Sequence, residues 1–216
     1  MSGLDRLQYE REHFSRGLTR LAGVDEAGRG PLAGPVVAAA VVMPESWIEE
    51  GIPESLCRLN DSKQINGKVR EELFEVICSD HFIEYGIGMI DSLLIDEINI
   101  LQATHCAMND ALVKLNSPVQ HALVDGRPVQ TLAVGQTAII KGDAKSYTIA
   151  AASILAKVTR DQLMIEYDRK YPGYGFAEHK GYGTKAHLTA IEELGPCPIH
   201  RMSFSPLNHN QSELFG

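Results

Sequence analysis

The stretch Leu21-Ala22-Gly23-Val24-Asp25-Glu26-Ala27-Gly28-Arg29-Gly30-Pro31-Leu32-Ala33-Gly34-Pro35 decides how this chain folds. A short apolar run ends in two acidic residues, a Gly-Arg-Gly turn follows, and a second apolar run extends from Val36 to Met43. The connection is too short for a crossover helix, so the two runs are predicted to be antiparallel neighbouring strands. Carboxylates suit Mg²⁺ and Mn²⁺, and Arg29 between glycines suits a phosphate. The stretch therefore predicts metal-assisted chemistry on a phosphodiester.

Hydrophobic spacing along the rest of the chain predicts a mixed α/β fold. Helices are predicted at five places, residues 4–18, 67–79, 92–115, 146–170 and 185–194. Besides strands at Leu21–Asp25 and Val36–Met43, three more are predicted, at Phe82–Ile90, Ala122–Asp125 and Thr137–Lys141. The segment from Pro172 to Thr184, rich in glycine and aromatic residues, is predicted to be a loop. The architecture that follows is a mixed β-sheet flanked by helices.

A length of 216 residues supports one hydrophobic core, so residues 1–216 are predicted to form a single domain. Within it, residues 19–170 form the predicted catalytic α/β core, and residues 171–206 a C-terminal loop and helix region. Residues 207–216 are predicted to be a flexible tail. The run Ala150-Ala151-Ala152-Ser153 indicates close packing of a helix on the sheet.

Acidic residues stand at the ends of three predicted strands. Asp25 ends the first strand, Asp125 ends another, and Asp143 follows a third. Carboxylates placed in this way converge at one edge of a sheet, where their mutual repulsion requires a divalent cation. Because side chains alternate along a strand, Glu26 can join this site only if the chain bends after Asp25, which Ala27-Gly28 permits. For Asp143 alone, capping of the following helix is the alternative.

The formal net charge of −8 does not exclude a nucleic-acid partner, because the acidity is unevenly distributed. Residues 44–116 hold 14 acidic and 5 basic residues, whereas residues 157–201 hold 6 acidic and 7 basic ones. No apolar run has the length of a membrane span, and the N-terminus lacks a signal-peptide pattern. Four widely spaced cysteines indicate reduced, buried thiols. The protein is therefore predicted to be cytoplasmic.

Three other motifs are weaker evidence of function. The spacing Gly28-x-Gly30 with Gly34 differs from a dinucleotide-binding loop and precedes a strand instead of a helix. Gly67-Lys68 lacks the upstream glycine and the following Ser or Thr of a phosphate loop. Cys197-x-x-His200 lacks a second pair of zinc ligands, so His200 is predicted to lie near the substrate or to make a structural hydrogen bond.

Several motifs together resemble the bacterial ribonuclease HII family, a type 2 ribonuclease H. The segment from Asp25 to Val36 is similar to the family's signature. Further blocks follow in family order and cover most of residues 25–206: Asn60-Asp61-Ser62-Lys63, Val124-Asp125-Gly126, Lys141-Gly142-Asp143, Ile149–Asp161, Tyr171–Phe176, His179–Thr184 and His200–Phe204.

The resemblance implies an RNase H-like fold with a C-terminal helical extension. It implies an endonuclease that cuts the RNA strand of RNA–DNA hybrids and nicks DNA 5′ of an embedded ribonucleotide, in ribonucleotide excision repair. The products carry 3′-hydroxyl and 5′-phosphate ends, and the cofactor is Mn²⁺ or Mg²⁺. By position, the catalytic metal ligands are four acids, Asp25, Glu26, Asp125 and Asp143. Gly28, Arg29 and Gly30 correspond to the turn that reads the ribose, and Tyr182 to the tyrosine on the following deoxyribose.

The chemistry of the substrate suggests further contacts and one further partner. Lys63, Lys145, Ser146 and Lys180 are predicted phosphate contacts, with a solvated surface charge the alternative for each lysine. The tail segment Gln211–Phe215 resembles the pentapeptide with which bacterial repair proteins dock on the sliding clamp. The protein is otherwise predicted to be a monomer.

Two alternatives to this enzyme stay open. One is a module on the same scaffold that binds hybrids without cutting them. The other is an RNase H-fold nuclease acting on DNA alone, which the ribose-reading turn and Tyr182 disfavour.

Overall fold

A computed structural model of the chain describes residues 5–208. This part contains a five-stranded sheet made of β1 (Leu21–Ala27), β2 (Val36–Val42), β3 (Glu84–Ile90), β4 (His121–Asp125) and β5 (Gln136–Ile139). The strand order is β3-β2-β1-β4-β5. Pairings β1–β2 and β2–β3 are antiparallel, whereas β1–β4 and β4–β5 are parallel. The predicted mixed sheet, with its first two strands as antiparallel neighbours, is confirmed.

The helices flank this sheet. They are α1 (Gln8–Phe14), α2 (Glu45–Glu50), α3 (Gly67–Ser79), α4 (Ser92–Ile98), α5 (Ile100–Val113), α6 (Tyr147–Lys170), α7 (Phe176–His179) and α8 (Lys185–Leu194). Helix α1 ends at residue 14, where residue 18 was predicted. The short helices α2 and α7 were not predicted, and α7 lies inside the predicted loop Pro172–Thr184.

The helix predicted over residues 92–115 is in fact two helices. Asn99 separates them because its backbone has a φ of +68°, outside the right-handed helical region. Its side chain then caps α5 by accepting hydrogen bonds from the backbone N–H groups of Leu101 and Gln102. Leu101, in the first turn of α5, is exposed, although it was predicted to lie on the apolar face.

Helix α6 packs against one face of the sheet and α5 against the other. A Cβ on Gly23 would lie 2.2 Å from the carbonyl carbon of Thr148, so only glycine permits the approach of α6 to β1. On the opposite face, Cβ atoms on Gly86 and Gly88 would lie 2.1 and 2.0 Å from carbonyl oxygens of α5. The alternating side chains of β2 divide the core accordingly, because Val37, Ala39 and Val41 face the α6 side and their neighbours the α5 side.

Ser146 is the N-cap of α6, since its hydroxyl oxygen accepts the backbone N–H of Ile149. The cysteines are free, as predicted, but not buried: Cys57 and Cys106 are exposed and Cys78 and Cys197 half-buried. Among residues 5–208 no helix is long and apolar enough to cross a membrane.

Among other contacts, the C-terminal part packs against the turn between β1 and β2 and against α4. Ala33 pairs with His200 in an antiparallel bridge, and Ser203 donates hydrogen bonds to Asp96. Leu207 is buried, in contrast to the flexible tail predicted from that residue. The predicted clamp-binding segment Gln211–Phe215 lies outside the described residues.

Candidate active site

Parallel strands bring the predicted acids to one edge of the sheet. Val24 of β1 pairs with Val124 of β4, so the next residues along the two strands, Asp25 and Asp125, are neighbours. Asp143 lies in a 3₁₀ turn, Gly142–Ala144, that follows β5. Asp25 and Asp143 are only 6% and 8% exposed, so the edge is a buried carboxylate cluster.

Asp25 and Glu26 reach this edge from opposite faces of the sheet. Strand β1 continues through Ala27, which pairs with Val37, so the predicted bend after Asp25 is wrong. Asp25 therefore points to the α6 face, where its carboxylate is hydrogen-bonded to Ser153. Glu26 points to the α5 face. The two acids therefore stand at the end of β1 on opposite faces of the sheet.

Crowding and burial destabilise the charged form of these carboxylates when no cation is bound. Burial, and then the charges of Glu26 and Asp125, raise the pKa of Asp25 well above its ordinary value. Burial, and then the charges of Asp125 and Asp61, raise the pKa of Asp143 to about 6. Burial also raises the pKa of Glu26, against the opposing effect of Arg29, which pairs with it at 3.2 Å. Cations at this edge would relieve the repulsion.

Backbone amides orient the three aspartates. Asp25 accepts the N–H of Glu26 at 2.7 Å, Asp125 that of Gly142 at 2.6 Å, and Asp143 that of Ala144 at 2.9 Å. Each of these bonds uses a single carboxylate oxygen. The second oxygens of Asp125 and Asp143 have no protein partner within residues 5–208, so they are free for a ligand.

The donor set fits a hard divalent cation. Within the described chain, no three side chains of Asp, Glu, His or Cys already stand in an arrangement that could hold a metal ion, so coordination would require side-chain rotations. The oxygen donors, the two free aspartate oxygens and the mutual repulsion match the needs of Mg²⁺ or Mn²⁺. Asp25, Glu26, Asp125 and Asp143 are the residues that would hold it.

The Gly-Arg-Gly turn is held from behind by a buried arginine. Arg201 donates to the carbonyl oxygens of Gly28 at 2.6 Å, Arg29 at 3.1 Å and Gly34 at 2.9 Å. The backbone N–H groups of Arg29 and Gly30 have no acceptor among residues 5–208. With its carbonyl groups tied back, the turn therefore offers free donors to a ligand.

A second buried arginine fixes the other side of the turn. Arg160 of α6 donates to the carbonyl oxygens of Pro35 at 2.9 Å, Ala33 at 3.0 Å and Lys180 at 3.0 Å. A Cβ on Gly28, whose φ is +96°, would lie 2.1 Å from Arg160 Nε. Glycine at position 28 is therefore required both by the backbone and by the space.

Tyr182 faces the turn across the cavity. Its side chain is 45% exposed, and its ring lies 3.7 Å from where a Cβ on Gly30 would be. The cavity measures about 310 Å³ and is lined by Asp25, Glu26, Ala27, Gly28, Arg29, Gly30, Ser62, Lys63, Ser153, Lys157, Arg160 and Tyr182. The structure thus brings the turn predicted to read the ribose, Tyr182 and two of the four predicted acids to one cavity.

A chain of neutral histidines holds the backbone of Tyr182. The N–H of Cys197 donates to His200 Nδ1 at 2.8 Å, so the proton of His200 is on Nε2 and points to His187 Nε2 at 3.1 Å. His187 then carries its proton on Nδ1, which donates to the Tyr182 carbonyl oxygen at 2.9 Å. Burial lowers the pKa of His187 to about 4, which keeps it neutral. His200 makes the structural hydrogen bond that was one of its predicted roles.

The four predicted phosphate contacts are placed differently. Lys63 is exposed and lines the cavity. Lys145 and Lys180 are half-buried and line no part of it, and Lys180 Nζ donates to the carbonyl oxygen of Ala177. Ser146 is fully buried, and its hydroxyl donates to Glu10 at 2.6 Å. The predicted phosphate contact of Ser146 is therefore corrected, because its hydroxyl has no access to a ligand. Capping of α6 by Ser146 likewise removes the capping alternative for Asp143.

Sequence reasoning missed the cavity residues contributed by α6 and the roles of both arginines. Ser153, Lys157 and Arg160 recur every three to four residues, the spacing of one helix face, and this signal could have placed them together. Arg201 gives no local signal, because the carbonyl groups it binds lie more than a hundred residues away in the chain.

Comparisons with known proteins agree with this geometry. The family model for ribonuclease HII matches residues 22–207. A ribonuclease HII of Ruminiclostridium cellulolyticum is 54% identical over 198 residues, which cover 92% of this chain and 74% of the relative. One from Endomicrobium trichonymphae is 51% identical over 201 residues, 93% of this chain and 92% of the relative.

A solved structure shows the same architecture. The crystal structure of ribonuclease H2 from Pyrococcus horikoshii OT3 superposes with a TM-score of 0.71 at 28% sequence identity. The match covers 90% of this chain and 98% of that one.

Proposed function

This chain belongs to the ribonuclease HII family, and we propose that it nicks duplex DNA 5′ of an embedded ribonucleotide as well as cutting the RNA of RNA–DNA hybrids. It is a ribonuclease H, a hydrolase, and the family acts as an endonuclease on hybrid RNA. The proposal adds the single-ribonucleotide substrate, the 5′ position of the cut, and the 3′-hydroxyl and 5′-phosphate ends. Such a reaction serves ribonucleotide excision repair.

The proposal rests on one observation: the buried carboxylates at the sheet edge lie beside a turn whose backbone N–H groups are free to donate. Asp25 and Asp125 are neighbours in register, and Asp143 joins them from the turn after β5. Mn²⁺ or Mg²⁺ held there would activate the attacking water and stabilise charge on the phosphodiester. The aspartates themselves are ligands, and each keeps its orientation through a backbone amide.

Selection of the sugar rests on the turn and on Tyr182. The free N–H groups of Arg29 and Gly30 suit the 2′-hydroxyl of a ribose, which accepts as well as donates hydrogen bonds. The Tyr182 ring, held through its carbonyl by His187, gives a flat apolar surface for the next sugar. A second 2′-hydroxyl would meet that ring, so the next sugar is expected to be a deoxyribose.

The first experiment uses a DNA duplex with one ribonucleotide, labelled in turn at each end of the cut strand. Wild-type protein is incubated with Mn²⁺, with Mg²⁺ or with EDTA, beside Asp125→Asn and the matched control Glu12→Gln. Glu12 is an exposed acid on α1, which packs at the opposite end of β1 and β4. We expect a metal-dependent nick 5′ of the ribonucleotide in wild type and in the control, and none in Asp125→Asn.

The ends of the cleavage products and the binding of the duplexes test the rest of the proposal. A 3′ end that a polymerase extends directly shows the predicted 3′-hydroxyl. Cleavage of a long hybrid without cleavage of the single-ribonucleotide duplex would contradict the proposal while leaving the family activity intact. No cleavage of either duplex, with tighter binding by Asp125→Asn, would favour the binding-module alternative.

A second experiment tests the reading of the ribose. In Gly30→Ala the new Cβ would meet only the Tyr182 ring, at an ordinary contact distance, so folding should be unaffected. It would, however, fill the space between the turn and the ring. We expect unchanged thermal stability and a loss of cleavage of about tenfold to a hundredfold. Full activity in a stable Gly30→Ala protein would refute the assignment of this space to the substrate.

The cytoplasmic location, the monomeric state and the clamp interaction of the tail stay predictions from the sequence.

A further inference from the structure

A second cavity opens on the α5 face of the sheet edge. We call it the α5 groove: it measures about 720 Å³ and lies between α5, at Gln102 and His105, and the segment Gly126–Thr131 that follows β4. Glu26 and Arg29 line both this groove and the active-site cavity. Asp125 also lines the groove. The groove is therefore continuous with the catalytic edge, on the side away from Tyr182.

A buried histidine in the groove has one ring nitrogen left for a ligand. His105 is only 7% exposed, and its Nδ1 lies 3.1 Å from the hydroxyl oxygen of Thr131. Its Nε2 has no partner within residues 5–208 and is not fully buried, so it is accessible from the groove. Burial, and then the charge of Arg29, lower the pKa of His105, so the ring is neutral. A neutral ring lining a groove presents a hydrogen-bonding atom rather than a charge.

Two arginines supply positive charge to the same groove. Arg127 is exposed and has no hydrogen bond or ion pair among the described residues. Arg29 pairs only with Glu26, at 3.2 Å, and its side chain is half exposed. Guanidinium groups with free donors bind phosphate oxygens, and the amide side chains of Gln102 and Gln130 add further polar groups. This combination suits a sugar–phosphate backbone rather than an apolar ligand.

We propose that the α5 groove binds the backbone of the cut strand on the 5′ side of the ribonucleotide, through Arg127 and His105. The inference rests on the proposed function, in which Tyr182 contacts the sugar on the 3′ side. Because the scissile phosphate lies at the carboxylates between the two cavities, the strand that leaves the catalytic edge away from Tyr182 enters the α5 groove. The contacts are to the backbone, so they position the strand without reading its sequence.

The test measures equilibrium binding in EDTA, where no cleavage occurs, by the full chain. Three duplexes with one ribonucleotide are compared: a full duplex, one whose cut strand ends just 5′ of the ribonucleotide, and one truncated just beyond the following deoxyribonucleotide. The variants are Arg127→Gln and His105→Asn, because asparagine can keep the bond to Thr131 while removing Nε2. The control is Arg16→Gln, which changes an exposed arginine that follows α1 and lines neither cavity.

We expect Arg127→Gln to weaken binding of the full and 3′-truncated duplexes by about tenfold. The slope of log affinity against log salt should fall by about one. His105→Asn should weaken the same two duplexes by a smaller factor. Neither variant should change binding of the 5′-truncated duplex, and Arg16→Gln should change none of the three.

Other outcomes overturn the inference. Equal weakening of all three duplexes would place these residues elsewhere on the substrate, and no weakening would exclude the groove from binding. Weakening restricted to the 5′-truncated duplex would assign the groove to the 3′ side. Cleavage of the full duplex by wild-type protein reports separately on the proposed function, so the two can fail independently.

Discussion

Replacement of His187 by glutamine should reduce the stability that the protein loses between about pH 7.5 and pH 5 by about 2 kcal/mol. His187 is fully buried between the Tyr182 carbonyl oxygen and His200, and its Nε2 can accept the hydrogen bond from His200 only when the ring is neutral. Burial lowers the pKa of His187 from 6.5 to about 4. In the unfolded chain the pKa returns to about 6.5.

The sign and the size of the effect follow from this difference. Between pH 6.5 and pH 4 the unfolded chain binds a proton that the folded protein excludes, so the free energy of unfolding falls as the pH falls. The contribution of the neutral His187 ring to the free energy of unfolding is complete above about pH 6.5, and about 2 kcal/mol of it is lost by pH 5. The full loss, reached below pH 4, is about 3 kcal/mol.

The assay is urea unfolding in EDTA at both pH values, for wild type, His187→Gln and the control His81→Gln, which changes an exposed histidine. The glutamine variant should be less stable than wild type at pH 7.5, because it disturbs two buried hydrogen bonds. Its further loss on going to pH 5 should be smaller than that of wild type by about 2 kcal/mol. Equal losses in wild type and His187→Gln would refute the reasoning, since the neutral histidine would then contribute no pH dependence.

Three further predictions concern the carboxylates and the packing of the sheet. Asp125→Asn removes a charge that lies beside Asp25 and Asp143. In EDTA, the substitution should raise the thermal midpoint of unfolding by about 2–4 °C, measured by calorimetry. It should also lower the pKa of Asp143 from about 6, measured by NMR titration. Gly23→Ala places a Cβ 2.2 Å from backbone of α6 and should cost about 3 kcal/mol in urea unfolding. Gly67→Ala meets nothing within 4 Å and should leave stability unchanged or slightly higher. Burial raises the pKa of Glu10 above 4.5, so wild type loses stability as the pH rises through that raised pKa, and the stability of Glu10→Gln relative to wild type should increase over the same rise in pH. A difference in stability between wild type and Glu10→Gln that does not change with pH would contradict this prediction.

Parts of the site could be predicted because they depend on residues that are adjacent in the sequence. Asp125 and Asp143 follow apolar runs in the sequence, and the parallel pairing of β4 and β5 then places them at one edge. The Gly-Arg-Gly turn was recognised because its residue types are adjacent in the chain. Glu26 shows the limit of this reasoning, since alternation along β1 was applied correctly but a bend was inferred that the strand does not make.

The rest depends on backbone conformation at single residues and on contacts between distant residues. Asn99 interrupts a helix whose apolar spacing looked continuous, because its side chain caps α5 while its backbone leaves the helical region. Ser146 was predicted to contact a phosphate, yet its hydroxyl reaches Glu10 far away in the chain. Neither outcome could be read from the neighbouring residues.

The sequence by itself determined the five strands, most of the helices, and the positions of the candidate acids and of the Gly-Arg-Gly turn, because periodicity and motif spacing are properties of adjacent residues. Only the tertiary structure decided that Asp25 and Glu26 meet from opposite faces of the sheet, and that Arg160 and Arg201 hold the turn. It also decided that His187 holds Tyr182 and that a polar groove continues from the catalytic edge along α5. The physical reason is that strand register, burial and hydrogen bonds to backbone carbonyls join residues that are far apart in the chain.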